Sequence, residues 1–354
     1  MSRFIQLHLL TSFPPSNLNR DDLGRPKTAK MGGVDRLRVS SQSLKRTWRT
    51  SDLFKDALAG HIGTRTKKLG VECYDKLVKN NVSEKNALEW AKDIAMQFGA
   101  LKKDKDEPLN ELEIEQLVHI SPAEQAAIDT LVAELAVQQR APEKEELTLL
   151  RKDDQAVDVA MFGRMLASKP AFNVEAACQV AHAISVHPVV IEDDYFTAVD
   201  DLNDNSLDAG AAHIGETGFA AGLFYSYICI NKELLIDNLG GDQALAKKAL
   251  LALTETAIKV APKGKQNSFG SRAYASYVMA EVGDQQPRSL SVAFLKPIDQ
   301  RSSDDFAADA IAALEKQQQN FDFVYGDCAD SRCVLNAVSG KQKNLQELLA
   351  FVCE

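Results

Sequence analysis

The sequence predicts an α+β fold. Three observations carry that prediction: an alternating N-terminal segment, a capped amphipathic helix soon after it, and a long Ala-, Glu- and Lys-rich stretch that interrupts a strand-rich remainder. A split β-α-β core of the ferredoxin type fits this order.

Residues 2–13 alternate as a strand, with Phe4, Gln6 and His8 on one face and Ile5, Leu7 and Leu9 on the other. A polar loop rich in Pro, Asn, Asp and Gly follows (14–33), and then RLRVS (36–40) alternates again. Arg36, Arg38 and Ser40 share one face of that strand; Leu37 and Val39 share the other. Ser40 or Ser41 caps a helix over SQSLKRTWRTSDLF. Helical stretches around 84–101, 122–139 and 154–168 are separated by charged breaks at 102–108 and 140–146, so about 60–181 reads as a helical insertion. Residues 189–218 hold little periodicity and exceed an ordinary loop of roughly 12–15 residues, a length that is usually functional or disordered. Beyond them the pattern predicts a strand at 219–231, a helix at 242–259, strands near 273–282 and 289–297, and helices at about 303–319 and 341–352.

Charge distribution points to a ligand. The whole chain carries −9, yet Arg20–Arg49 holds nine basic residues against three acidic ones. An acidic body with one concentrated basic window can still grip a phosphate backbone, because the local field decides the contact. Within that window Gln42, Lys45, Arg46 and Arg49 stand at i, i+3, i+4 and i+7, while Leu44 and Trp48 anchor another face. Two readings fit the cationic face: a solvated helix surface, or a phosphate-binding surface extended by Arg36, Arg38 and Ser40 and by Arg20 and Lys27 in the loop. A third reading sets the patch against an acidic protein neighbour.

Other chemistry is weakly supported. The six cysteines are scattered and show no zinc or redox spacing, so reduced cytoplasmic thiols are expected. His213 with Asp200 and Asp201 lacks any standard metal-ligand pairing, and no metal or cofactor is expected. KGKQ (263–266) lacks the remainder of a P-loop. No apolar run approaches the roughly 20 residues that cross a bilayer, and no membrane partner is expected. Aromatics Tyr195 and Phe196 sit among acids; they read either as base-stacking residues or as an anchor for their own segment.

LNRDD (18–22), GG (32–33), RVSSQSLKR (38–46), GRM (163–165), FTAVDDL (196–202) and NLGG (238–241) occur in this order. Together they resemble the CasC family, the backbone subunits of type I-E CRISPR Cascade complexes. The likeness is specific over the first 50 residues and across about 155–241, and weaker elsewhere. It implies an RRM-like (ferredoxin-like) palm (1–59 and 182–354), a helical fingers insertion (60–181) and an extended thumb arm inserted in the palm (189–218). It implies a non-catalytic cytoplasmic subunit whose partners are CRISPR RNA, further copies of itself arranged head to tail, other Cascade subunits and the target DNA strand paired to the guide. The thumb would displace guide bases at intervals. The family's RNA contacts carry over to Asn19, Arg20, Lys27, Ser40, Gln42, Lys45, Arg46 and Arg49. Arg38 joins them from the basic strand and Arg164 from the GRM motif. Met165 resembles the apolar residue beside the kinked base, and Phe196 and Thr197 resemble the thumb residues next to it. Arg140 and Lys144 are candidate duplex-DNA contacts in a stretch that mixes acids with bases. The rival from a different class is a Mg-dependent RNA endonuclease using Asp21 and Asp22 in the loop after the first strand.

Overall fold

A computed structural model describes residues 3–103, 109–151, 156–198, 213–299 and 303–354. Along the chain, β1 (Phe4–Ser16), β2 (Thr28–Met31) and β3 (Val34–Val39) precede α1 (Ser41–Arg49) and α2 (Asp52–Ala57). Then come β4 (Thr64–Thr66), α3 (Leu69–Lys79), α4 (Glu84–Ala95), β5 (Val118–Ile120), α5 (Pro122–Gln138) and α6 (Val157–Phe162). They are followed by β6 (Cys178–Val180), β7 (Ala183–Ser185), β8 (Glu192–Ala198), β9 (His213–Asn231), α7 (Lys232–Asn238) and α8 (Gln243–Lys259). The chain closes with α9 (Gln266–Phe269), β10 (Tyr277–Gly283), α10 (Phe306–Tyr325), β11 (Ser331–Asn336), β12 (Lys341–Gln342) and α11 (Leu345–Phe351). The elements form an α+β fold in two compact units. One is Met1–Phe54, Val180–Ile230 and Leu250–Glu354; the other is Lys55–Gln179 and Asn231–Ala249.

In the first unit the sheet runs β12-β11-β10-β1-β9-β7-β3-β2, with β8 pairing β9. The pairs β1–β10, β10–β11, β7–β9, β3–β7, β2–β3 and β8–β9 are antiparallel. β1 lies inside this order and is buried on both faces. Ile5, Leu7 and Leu9 are in the core, and so are Gln6 and His8 opposite them. Burying those polar groups requires partners. His8 Nε2 donates to Glu281 at 3.2 Å, and its Nδ1 accepts from the Tyr225 hydroxyl at 2.9 Å. The Gln6 carbonyl accepts from Tyr227 at 2.8 Å and from the Arg288 backbone at 2.9 Å. α10, capped by Asp305, lays Ala310, Ile311 and Leu314 against Tyr277, Leu290 and Phe294.

The second unit has its own core. α3, α4 and α5 bury Leu77, Ala91, Ile94, Ile128 and Leu135 together with Ile114 and Ile120. Ser121 and Glu124 close a capping box at the start of α5.

Three sequence expectations need correction. The strand expected at 289–297 is a 3-10 turn at Ser291–Phe294. Its two buried residues, Leu290 and Phe294, lie four apart, a helical spacing. Of the helix expected at 154–168, the described residues form only the six of α6, ended by Gly163 at φ +81°. Part of the segment at 189–218 is strand β8, whose residues are all exposed and therefore carry no hydrophobic alternation.

Candidate nucleic-acid interface

The basic helix is capped as the sequence predicts, but it ends at Arg49, and the single helix expected over 41–54 is split into α1 and α2. Ser40 is the N-cap, its hydroxyl accepting from Ser43 N–H at 3.3 Å. Leu44, Thr47 and Trp48 are buried, while Gln42 and Arg46 are exposed and Lys45 and Arg49 half-buried. Arg46 and Arg49 occupy the last turn, where cations complement the helix dipole.

The loop before β2 is tied to this cap. Asn19 Oδ1 accepts from Ser40 N–H at 2.9 Å, and Lys27 N–H donates to the Asn19 carbonyl at 2.8 Å. Arg20 bridges to Pro26, and Asp21 Oδ1 accepts from the backbone of Leu23 (3.0 Å) and Arg25 (2.9 Å). Asp21 is thus a turn-building carboxylate. The result is a trough of about 590 Å³ lined by Asn19, Arg20, Asp21, Asp22, Arg46 and Lys263, among others.

Arg38 lies outside that lining. Its guanidinium donates to the Thr28 carbonyl at 3.3 Å and to His182 Nδ1 at 3.0 Å. Burial, then the charges of Arg38 and Lys27, hold the His182 imidazole below its usual pKa. Arg38, Lys27 and His182 therefore form a small polar group of their own. Arg36 is fully buried and donates to the carbonyls of Met31, Ser185 and Phe294, so it leaves the phosphate-facing strand set. His182 and Lys263 were not singled out as binding residues by the sequence. For Lys263 the available signal is the basic KGKQ turn at 263–266, which as a P-loop fragment carries no phosphate site.

In the second unit Gly163 turns the chain after α6, and Arg164 bridges to Val174. Contrary to the sequence expectation, the Arg164 guanidinium does not face RNA. Its guanidinium is buried against Glu124 at 2.8 Å and also donates to the carbonyls of His119, Arg151 and Phe172. A charge paired and desolvated this way is unavailable to a phosphate. The next side chain, Met165, is 77% exposed and rims a pocket of about 300 Å³ that includes Phe98, Leu117 and Leu166. Arg140 pairs with Glu146 at 2.6 Å, and hydrogen bonds from Arg140 and from the Glu143 backbone bring the Glu146 carboxyl down to about 2. Its neighbour Lys144 is exposed among Glu143 and Glu145.

Phe196 and Thr197 lie on β8, paired with Gly215 and Ile214 of β9. A Cβ at residue 215 would sit 2.4 Å from the Phe196 ring, so the ring rests on the glycine. Arg25 reaches this hairpin through Asp193 at 2.9 Å. Asp200, Asp201 and the acidic stretch 202–212 lie outside the described residues. Among the described residues no helix is long and apolar enough to cross a membrane.

The family model described as CT1975-like protein matches residues 5–350. A solved chain titled "CRISPR RNA-guided surveillance complex, pre-nicking" is 29% identical, covers 99% of both chains and superposes with a TM-score of 0.82. Another, titled "CRISPR RNA-guided surveillance complex", is 25% identical over 99% of both chains with a TM-score of 0.74. No curated protein matches significantly in sequence.

Proposed function

Because the chain belongs to the CT1975-like protein family, with the CasC-like backbone subunits it resembles, we propose that it binds single-stranded CRISPR RNA along the phosphate backbone as a non-catalytic subunit of a surveillance complex. The observation that carries this reading is the convergence of Asn19, Arg20, Arg46 and Lys263 on one trough beside a helix whose outer face is cationic. Phosphates seated there displace counterions, which gives tight and salt-sensitive binding without base specificity.

In this reading the RRM-like palm is 1–59 and 182–354, the fingers are 60–181 and the thumb is 189–218. Copies stack head to tail on one guide, a heterologous contact that does not close. Ser40, Gln42, Lys45 and Arg49 extend the phosphate track, with Lys27 and Arg38 beside it. Met165, Phe196 and Thr197 meet the displaced bases, and the exposed guide segments pair with the target DNA strand. Arg140 and Lys144 are the proposed DNA contacts.

The test is RNA binding at several salt concentrations. Lys45→Ala with Arg49→Ala should weaken binding and lower the salt slope by about 1.4, roughly 0.7 per lost phosphate contact on a single strand. Unchanged isotherms would overturn the phosphate role. Asp21 and Asp22 line the same trough, which keeps the endonuclease reading specific. Incubation of labelled RNA with Mg²⁺ separates the two: cleavage that disappears in Asp22→Ala would replace the non-catalytic reading.

A further inference from the structure

A second depression of about 760 Å³ lies in the same unit as the trough and shares Lys263 with it. Its lining carries Lys259, Lys263, Lys265 and Arg272 against a single carboxylate, Asp52, with Tyr274 alongside. Lys259 is paired with Glu255 at 2.6 Å and Lys265 donates to Thr217 Oγ1 at 2.9 Å. Lys263 and Arg272 remain as exposed cations of the lining.

The segment that presents them is fixed. A Cβ at residue 264 would lie 2.3 Å from the Leu18 carbonyl oxygen and 2.6 Å from that of Asn17, so Gly264 is pressed onto the backbone just before Asn19 and Arg20. This contact holds Lys263 where the two depressions meet. With its amide oriented to satisfy both neighbours, Gln266 accepts from the backbone of Ser271 and Arg272 at 3.0 and 3.1 Å, which sets the turn that displays Arg272. Two residues on, Tyr274 is 67% exposed, a large aromatic ring at the edge of a cationic site.

Cations at a shared boundary, few opposing acids and an exposed ring are the ingredients of a single-strand binding groove, in which charge tracks the backbone and aromatics stack on bases. We propose that residues 259–274 form a second phosphodiester-binding subsite for single-stranded RNA, continuous through Lys263 with the Arg20–Arg46 trough, in which Arg272 takes a phosphate and Tyr274 stacks on a base. The proposal rests on the RNA-binding reading above. It adds a surface that none of the resemblance-derived contacts touches.

The experiment is titration of the full chain with a labelled, unstructured RNA oligonucleotide across a salt series. Arg272→Ala should lower the salt slope by about 0.7, the share of one phosphate contact on a single strand. Tyr274→Ala should weaken binding roughly fivefold or more while leaving the slope unchanged. Both side chains are exposed, and thermal melts verify that the variants are folded. The wild-type chain supplies an independent readout: photocrosslinking to 4-thiouridine RNA should label Tyr274. Wild-type RNA binding that falls with Lys45→Ala and Arg49→Ala, but not with Arg272→Ala or Tyr274→Ala, would overturn this subsite and leave the first reading intact. Failure of the wild-type chain to bind RNA would remove both. RNA affinity unchanged in these variants, with self-association lost, would make the surface a protein contact and overturn the proposal.

Discussion

Arg36 and Arg38 stand two apart on β3 and share a face in the sequence, yet they do different work. Arg36 donates its guanidinium to three backbone carbonyls in the interior; Arg38 stays nearer the surface, outside the trough lining, and meets His182. Arg164 makes the same point in the second unit. Removing its side chain in Arg164→Ala would leave the Glu124 carboxylate buried without its partner, which costs about 3–5 kcal/mol. Urea unfolding should register that loss, and the salt slope of RNA binding should be unchanged for the fraction that stays folded. A drop in slope would return Arg164 to the contact set. The buried His8–Glu281 pair predicts a pH dependence. Burial, only partly offset by Glu281, holds His8 below its ordinary value of about 6.5, so the native imidazole protonates later than the unfolded one, and stability falls as pH drops from there. Burial alone would raise the Glu281 carboxyl, but hydrogen bonds from Arg288 and then His8 hold it well below the carboxylate range. Its stabilisation is present above the unfolded value of about 4.3 and is lost as pH falls through the native one. Both effects run the same way. The urea midpoint should decline from pH 7 to pH 5.5 and further by pH 4, and His8→Asn should flatten the first part of that decline. A flat wild-type profile would contradict the assignment.

Among the elements, α1 was legible in the sequence because everything that makes it is local. Its cap, its apolar anchors and its cationic face all fall within ten residues. β1 was legible as a strand, but its central position was not. The face carrying Gln6 and His8 looks solvent-facing until Glu281 and Tyr225, more than two hundred residues away, supply the partners. Lys263 escaped for a similar reason, since only the close approach of Gly264 to residues 17–18 brings it to Arg20. In the sequence β8 reads as a loop because an exposed strand has no buried face to mark it. Its aromatic is nevertheless placed by backbone pairing, with the Phe196 ring resting on Gly215. Gly215→Val should preserve the strand, since β-branched residues suit it, while lifting the ring from its seat. If Phe196 meets a displaced base, Gly215→Val and Phe196→Ala should both weaken RNA binding by up to about 1–3 kcal/mol, the scale of one base–aromatic stack. Fluorescence of 2-aminopurine placed through the RNA would read the loss, and an unaltered signal in both variants would make the ring a purely structural anchor.

For the molecule as a whole, both units have a core of their own, and the proposed phosphate contacts all belong to the first. The net charge of −9 repels RNA at long range, so the RNA binding proposed above is assigned to the concentrated basic surfaces of the first unit. The second unit holds a separate core in which Leu77 is fully buried. Leu77→Ala removes buried methyl groups and leaves a cavity, at a cost of about 2–5 kcal/mol. Such a loss should lower the thermal transition of the second unit. The salt slope for RNA should remain at the wild-type value below that transition, because the slope counts phosphates and the cations proposed to meet them belong to the first unit. Calorimetry on the same preparation verifies that the variant is destabilised but folded at the titration temperature. A slope that falls along with the transition would mean that cations of the second unit, Lys144 and Arg140 first among them, also carry phosphates of the guide.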